Sequence, residues 1–192
     1  MDKYDTSYND PYCYDGTFVL KNKLKIKDFD ELETAEREIT AYSLKDIEYQ
    51  DAPYNLKYLQ TLHKQLFNEL YKWAGELRTV DISKEDTEFC SFFNLESYSS
   101  GLFENLQKDK WLEGLNKTSF YKKLAEHYCE FNMLHPFREG NGRVQRLFFE
   151  HLALYNGYVL DWNTISKDDW IQANIAGVTD YEPMENIFKR VL

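Results

Sequence analysis

The sequence predicts a mainly α-helical fold carrying one small β-hairpin. Leu56, Leu59, Leu62, Leu66 and Leu70 recur at 3.6-residue spacing. Val144, Leu147, Phe148, Leu152 and Tyr155 repeat that pattern further along. Between the two stripes, Gly75 is followed by LRTVDISKEDTEFCSFF, which alternates and carries β-branched residues, so a hairpin or flap suits it better than a helix.

The elements follow in chain order. Residues 1–20 are rich in Tyr, Asp and Asn, hold Pro11 and Gly16, and read as an extended arm. Leu32, Ala35, Glu36, Ile39, Tyr42 and Leu44 fall near helical spacing, giving a helix over about 30–46. Pro53 breaks the chain before the leucine stripe. After the hairpin, helices are predicted over about 94–107 and about 117–133, the latter facing inward through Phe120, Leu124, Tyr128 and Phe131. Pro136 ends it, because the residue before a proline avoids the α region. The next helix starts near Gly142 and is capped by Gly157. Shorter helices over about 164–174 and 183–190 complete the reading, with no internal repeat.

Length and charge bound the function. The chain has 192 residues, which suits one domain with its own core. Its net charge of −10 argues against a general binder of nucleic acid or anionic membrane. Cys13, Cys90 and Cys129 form no C-x-x-C pair and read as free thiols of a reducing compartment, so a cytoplasmic location is expected. MDKYDTSYND is no signal peptide, and no apolar run approaches the roughly 20 residues that cross a bilayer.

The chemistry concentrates in HPFREGNGRVQR, residues 135–146. Gly140-Asn141-Gly142 lets the backbone take positive φ cheaply, so successive N–H groups can form an anion-binding nest. The helix that follows adds its own unpaired N–H groups and positive dipole end. Arg143 and Arg146 share one helical face above it, which suits a polyphosphate. Glu139 stands at the rim, where a lone carboxylate among phosphates commonly holds Mg²⁺. His135 ends the preceding helix, and imidazole suits general-base work near neutral pH. Taken singly, these could be a simple turn, surface charges and a capping cation. Within twelve residues, the bland account needs several coincidences. No Walker A or dinucleotide-binding glycine pattern occurs. His63, His127 and His151 lie beside apolar stripes and read as hydrogen-bonded core residues.

These residues resemble the signature of Fic-domain proteins, H-P-F-x-[D/E]-G-N-G-R-x-x-R, at every fixed position. Gly75 to Phe89, with Arg78 and Lys84, resembles the flap before that core. Tyr14 to Leu24 and Asp180 to Met184 resemble the two ends of bacterial cell-filamentation Fic proteins. The resemblance implies a Fic fold, a helical bundle with a small β-hairpin flap, in one domain over 1–192. Its parts are an arm over about 1–29, a Fic core over about 55–160 and C-terminal helices over about 161–192.

It also implies protein AMPylation, the transfer of AMP from ATP to a target Ser, Thr or Tyr hydroxyl. His135 is then the catalytic base and Glu139 the Mg²⁺ ligand. Phe137, Arg138, Gly140, Asn141, Gly142, Arg143 and Arg146 form the ATP site, with Arg143 and Arg146 on the outer phosphates and Phe137 anchoring the loop. Asn174 and Tyr181 are the adenine-pocket expectations. The flap at Ser83, Lys84, Glu85 and Phe89 docks the target by strand addition. Intact Gly140 and Gly142 favour AMP transfer over a kinase or phosphocholine-transferase relative, and the paired His135 and Glu139 argue against an idle interaction module. By resemblance, gyrase and topoisomerase IV subunits are candidate targets. Fic enzymes are often silenced by [S/T]-x-x-x-E-[G/N] pairing with the second arginine, here Arg146. Ser100 to Asn105 fits, but lies in an expected core helix. Thr34 to Glu38 lacks the final residue, and Tyr181 stands where Glu185-Asn186 would need Ser or Thr. A toxin inhibited in trans by a small antitoxin is therefore expected.

Overall fold

In the computed structural model, the structure describes residue 4, residues 10–85 and residues 87–192. Seven α-helices and a two-stranded sheet form around one aromatic core. The helices are α1 (Phe29–Ser43), α2 (Leu56–Phe67), α3 (Leu95–Lys108), α4 (Lys117–Leu134), α5 (Asn141–Tyr155), α6 (Lys167–Ala176) and α7 (Glu182–Val191). Strands β1 (Ser83–Lys84) and β2 (Thr87–Glu88) pair antiparallel, with Ser83 opposite Glu88 and Lys84 opposite Thr87.

Short polar side chains start four of the helices. Asp28, Asn55, Asn116 and Ser166 each accept the backbone N–H three residues on, at 2.9–3.0 Å. α2 stops at Phe67, before the end of the leucine stripe, yet Leu70 stays fully buried in the turn that follows. In α1 the expected inward face holds through Leu32, Ala35, Glu36 and Ile39 and fails at its C-terminal end. Tyr42 and Leu44 are exposed, and Leu32, Glu36 and Thr40 are buried. The buried face therefore runs at i, i+4 and i+8, and two polar residues on it find partners inside the molecule.

α4 is the central helix and packs against α3, α5 and α7, while α2 packs against α1, α3 and α5. Where α3, α4 and α5 meet, Phe131 stacks on Phe148 and Phe103 meets both edge-on. Burying each such ring contributes roughly 1.5–3 kcal/mol. The bundle thus holds the end of α4 and the start of α5 side by side. The segment joining them, residues 135–140, is itself buried.

Of the arm, residues 1–3 and 5–9 lie outside the described residues. From Asp10 onward it is an irregular extended segment, with Cys13 bridged to Leu20 and the Lys23 N–H donated to the Leu70 carbonyl at 2.8 Å. Cys13, Cys90 and Cys129 are free thiols. Among the described residues, no helix is long and apolar enough to cross a membrane.

Candidate active site

α4 ends in a left-handed residue, His135, with φ of 37°. α5 starts behind another, Gly140, with φ of 81° and no side chain capping the helix. Between them Asn141 closes the loop on itself. Its Oδ1 accepts the Phe137 N–H at 2.8 Å, and its Nδ2 donates to the Phe137 carbonyl at 2.7 Å. The N-terminus of α5 is therefore left without a capping side chain, the arrangement that favours an anion.

His135 carries the marks of a base. Its Nδ1–H donates to the Asn132 carbonyl, which leaves Nε2 unprotonated and able to accept. Phe89 of the flap stacks on the imidazole with ring centroids 3.7 Å apart, and Tyr4 meets it edge-on at 5.8 Å. Burial under these rings lowers its pKa to about 4, helped by the nearby Arg78 charge and opposed by the Asn132 hydrogen bond. The ring is neutral at neutral pH.

The two arginines of the motif differ. Arg143 donates to Glu36 and also reaches Glu139 at 3.3 Å and Thr40 Oγ1 at 3.3 Å, lying over the Phe67 ring at 4.7 Å. Tyr71 donates its hydroxyl to the other Glu36 oxygen. Arg146, one turn on, is half-buried and makes no ion pair among the described residues. Glu139 is buried, and its Oε1 accepts the Gly140 N–H at 2.9 Å. A single hard carboxylate beside an uncapped helix start matches the way Mg²⁺ is held, by one or two carboxylates plus substrate phosphates.

Side chains from distant segments support the loop. Phe67 lies directly under Gly140, so a Cβ added at that glycine would fall on its ring atoms. His63 is fully buried. It accepts the Gly75 N–H at Nδ1 (2.8 Å), donates Nε2–H to the Glu139 carbonyl (3.0 Å), and stacks on Phe137 at 4.0 Å. Arg78 donates to the carbonyls of His135 (2.8 Å), Val80 (2.7 Å) and Cys90, and its own N–H donates to the Pro136 carbonyl at 2.9 Å. Arg138 is fully buried and donates to Asp10 of the arm at 2.6 Å.

A cleft of about 180 Å³ opens over this loop. His135, Gly142, Asn174, Phe89, Lys84 and Glu85 line it. Ser83 pairs with Glu88 at the base of the flap beside it. Tyr181 instead borders a neighbouring groove with Tyr98, Glu130 and Val178. Phe137 and Arg138 are buried within the loop, and neither they nor Arg143 line the cleft; Glu139 instead borders a separate cavity with Glu36 and Tyr71. Glu104 is exposed on α3.

Several residues that shape the site were not expected from sequence. Tyr128, Trp170 and Ile171 form much of the cleft wall, and Tyr4 enters it with its hydroxyl against the Asn141 side chain. Glu36 falls on an expected packing stripe, and His63 is the hydrogen-bonded core residue the sequence suggests, but with the catalytic loop as its partner. The one available signal was that His63, Phe67 and Tyr71 recur four apart. Nothing in that spacing says which loop they would meet.

Comparison with known proteins adds an independent line. A profile of the Fic/DOC family matches residues 53–153. The chain is 42% identical over 184 residues to the probable protein adenylyltransferase Fic of Escherichia coli K12, covering 95% of this chain and 92% of that one. Among solved structures it resembles the N-terminal Fic domain of a putative cell filamentation protein from Bartonella quintana with bound ADP. That match has TM-score 0.86 and 29% identity, over 94% of this chain and 93% of that one. It also resembles the BepC protein of Bartonella tribocorum with bound AMPPNP, with TM-score 0.85 and 26% identity, over 94% and 95%.

Proposed function

The chain belongs to the Fic/DOC family, and from that premise we propose that it is a protein adenylyltransferase that moves AMP from ATP to a hydroxyl of a target protein. The observation that carries the reading is one cleft holding both a neutral imidazole, with Nε2 left as acceptor, and the uncapped start of α5.

The target hydroxyl gives its proton to His135 Nε2 as its oxygen bonds to the α-phosphorus. The bond from that phosphorus to the bridging oxygen breaks, and pyrophosphate leaves. The N–H groups of Asn141 and Gly142 and the helix dipole stabilise the charge on the phosphates. Arg146, which makes no ion pair among the described residues, takes the outer phosphates, and Arg143 adds positive charge beside the loop. Glu139 would hold Mg²⁺, which would supply positive charge to neutralise the phosphates. The chain's work is positioning and charge neutralisation, as phosphate chemistry requires. Asn174 and the Trp170 side of the cleft receive the base, and the flap edge at Lys84 and Glu85 receives an extended target segment.

Family resemblance sets the wider setting: a bacterial cytoplasmic toxin held by a small antitoxin, with gyrase and topoisomerase IV subunits as the first targets to offer. Support for a cell-filamentation role comes from the description of the Bartonella quintana relative. Calorimetric titration of the protein with AMPPNP and Mg²⁺ tests the reading at its base. Saturable binding that weakens in Arg146→Ala supports it; no binding by the parent protein contradicts it.

A further inference from the structure

The histidine at position 63 stands outside the motif, yet its imidazole touches the loop. Both of its nitrogens are used. Nδ1 accepts the Gly75 N–H at 2.8 Å, and Nε2–H donates to the Glu139 carbonyl at 3.0 Å. Those two bonds fix a neutral ring with the proton on Nε2. The ring is also clamped face to face between Phe137 (4.0 Å) and Phe67 (4.7 Å), so it cannot swing away from either partner.

The two partners matter more than the burial. Gly75 is the entry to the flap, and Gln60, one turn before His63 on α2, donates to its carbonyl at 3.0 Å. A Cβ at Gly75 would fall 2.9 Å from both Gln60 O and Lys64 Cβ. The flap entry is thus held flat against α2. Glu139 is the carboxylate at the rim of the α5 N-terminus, and its neighbour Gly140 presses on Phe67. His63 bonds the main chain of both segments, at the flap entry and at Glu139. A plain core histidine needs partners of any kind; this one donates to the main chain of Glu139, the residue whose carboxylate bonds the Gly140 N–H at the start of α5.

We propose that His63 is a positioning residue of the active site: it fixes the peptide of Glu139, and with it the direction of that carboxylate, while tying the loop to the base of the flap. The role of the Glu139 carboxylate rests on the adenylyltransferase reading; the tie between α2, the flap entry and the loop does not.

Three variants separate positioning from packing. His63→Gln keeps a donor where Nε2 stood. His63→Asn keeps an acceptor where Nδ1 stood. His63→Phe keeps the ring stack and neither bond. Label transfer from α-labelled ATP is measured beside thermal melting, with all proteins assayed well below their melting points. His63→Phe should lose about 100-fold in kcat, the effect of roughly 1 Å of misplacement at a reacting group. His63→Gln should stay within about tenfold of the parent, and His63→Asn should resemble His63→Phe, even where the two amides melt alike. If kcat instead follows melting temperature across the three, or His63→Phe keeps parental kcat, the proposal is overturned. Amide NMR shifts of Gly140 and Asn141 give a reading without turnover. They should move in His63→Asn and stay in place in His63→Gln; equal shifts in both overturn the proposal. A parent that transfers no label but passes the NMR arm overturns the adenylyltransferase reading and leaves the positioning role standing.

Discussion

The catalytic loop and the flap face each other across one cleft and are built in opposite ways. Every residue from 135 to 140 is buried, and the carbonyls of His135 and Glu139 are taken by Arg78 and His63. The flap has two strands of two residues each, with Lys84, Glu85 and Glu88 exposed. Buried, fully bonded backbone opens only with much of the fold, whereas short exposed strands open locally. In the proposed function, the side that handles phosphate is the immobilised one, and the side that meets a protein target is the one that can adapt.

The contrast breaks most visibly at Gly140. Gly140→Ala puts a Cβ onto the Phe67 ring at a φ of 81°, so the loop must shift. Label transfer should fall by about 100-fold or more, as expected for a displaced reacting group. If the variant transfers label like the parent, the loop is not the rigid side. Glu36→Ala comes next. It leaves the half-buried Arg143 with Glu139 as its remaining carboxylate partner and takes the acceptor from the Tyr71 hydroxyl. Leaving a buried polar group without its partner costs roughly 1–3 kcal/mol. A clear fall in melting temperature, with kcat lowered about tenfold, would fit this supporting role. An unchanged melting temperature would show that Arg143 does not need α1.

The rigid side should also show itself in pH dependence. His135 has its pKa lowered to about 4 and His63 to about 3, both chiefly by burial. His135 therefore remains an unprotonated base well below pH 6.5, and kcat/KM should hold level down to about pH 5 before it falls. An acid limb centred at 6.5 would mean that the imidazole is not shielded by Phe89 and Tyr4. Stability follows the same direction. The unfolded chain binds protons at these histidines first, so stability present above pH 6.5 is lost as pH falls toward 4. The smallest effect belongs to the flap. Lys84→Ala should leave AMPPNP binding within about twofold and act only on target labelling, since its exposed side chain adds little fixed structure.

The same contrast separates what could be read from the sequence. Helix periodicity located α2, α4 and α5 closely, because their buried faces are apolar. On α1 it found Leu32 and Glu36 but missed Thr40 and added the exposed Tyr42 and Leu44, because the polar pair Glu36 and Thr40 is buried against Arg143. The loop was legible because its residues are contiguous and each has its own chemistry. The struts were not. His63 precedes its Glu139 partner by 76 residues and Arg78 precedes His135 by 57, and a single sequence carries no mark of such pairs. The cleft wall at Trp170 and Tyr128 was hidden for the same reason, since an aromatic at helical spacing reads the same in a core and in a pocket.

The central claim is that the α-phosphate of ATP passes to a protein hydroxyl with His135 as the base. Parallel incubations with α-labelled and γ-labelled ATP, Mg²⁺ and bacterial protein, using the parent and His135→Ala, test it directly. The account predicts protein labelling from the α-label alone, reduced at least about 100-fold in His135→Ala. Labelling from the γ-label alone, or undiminished α-labelling by His135→Ala, would contradict it.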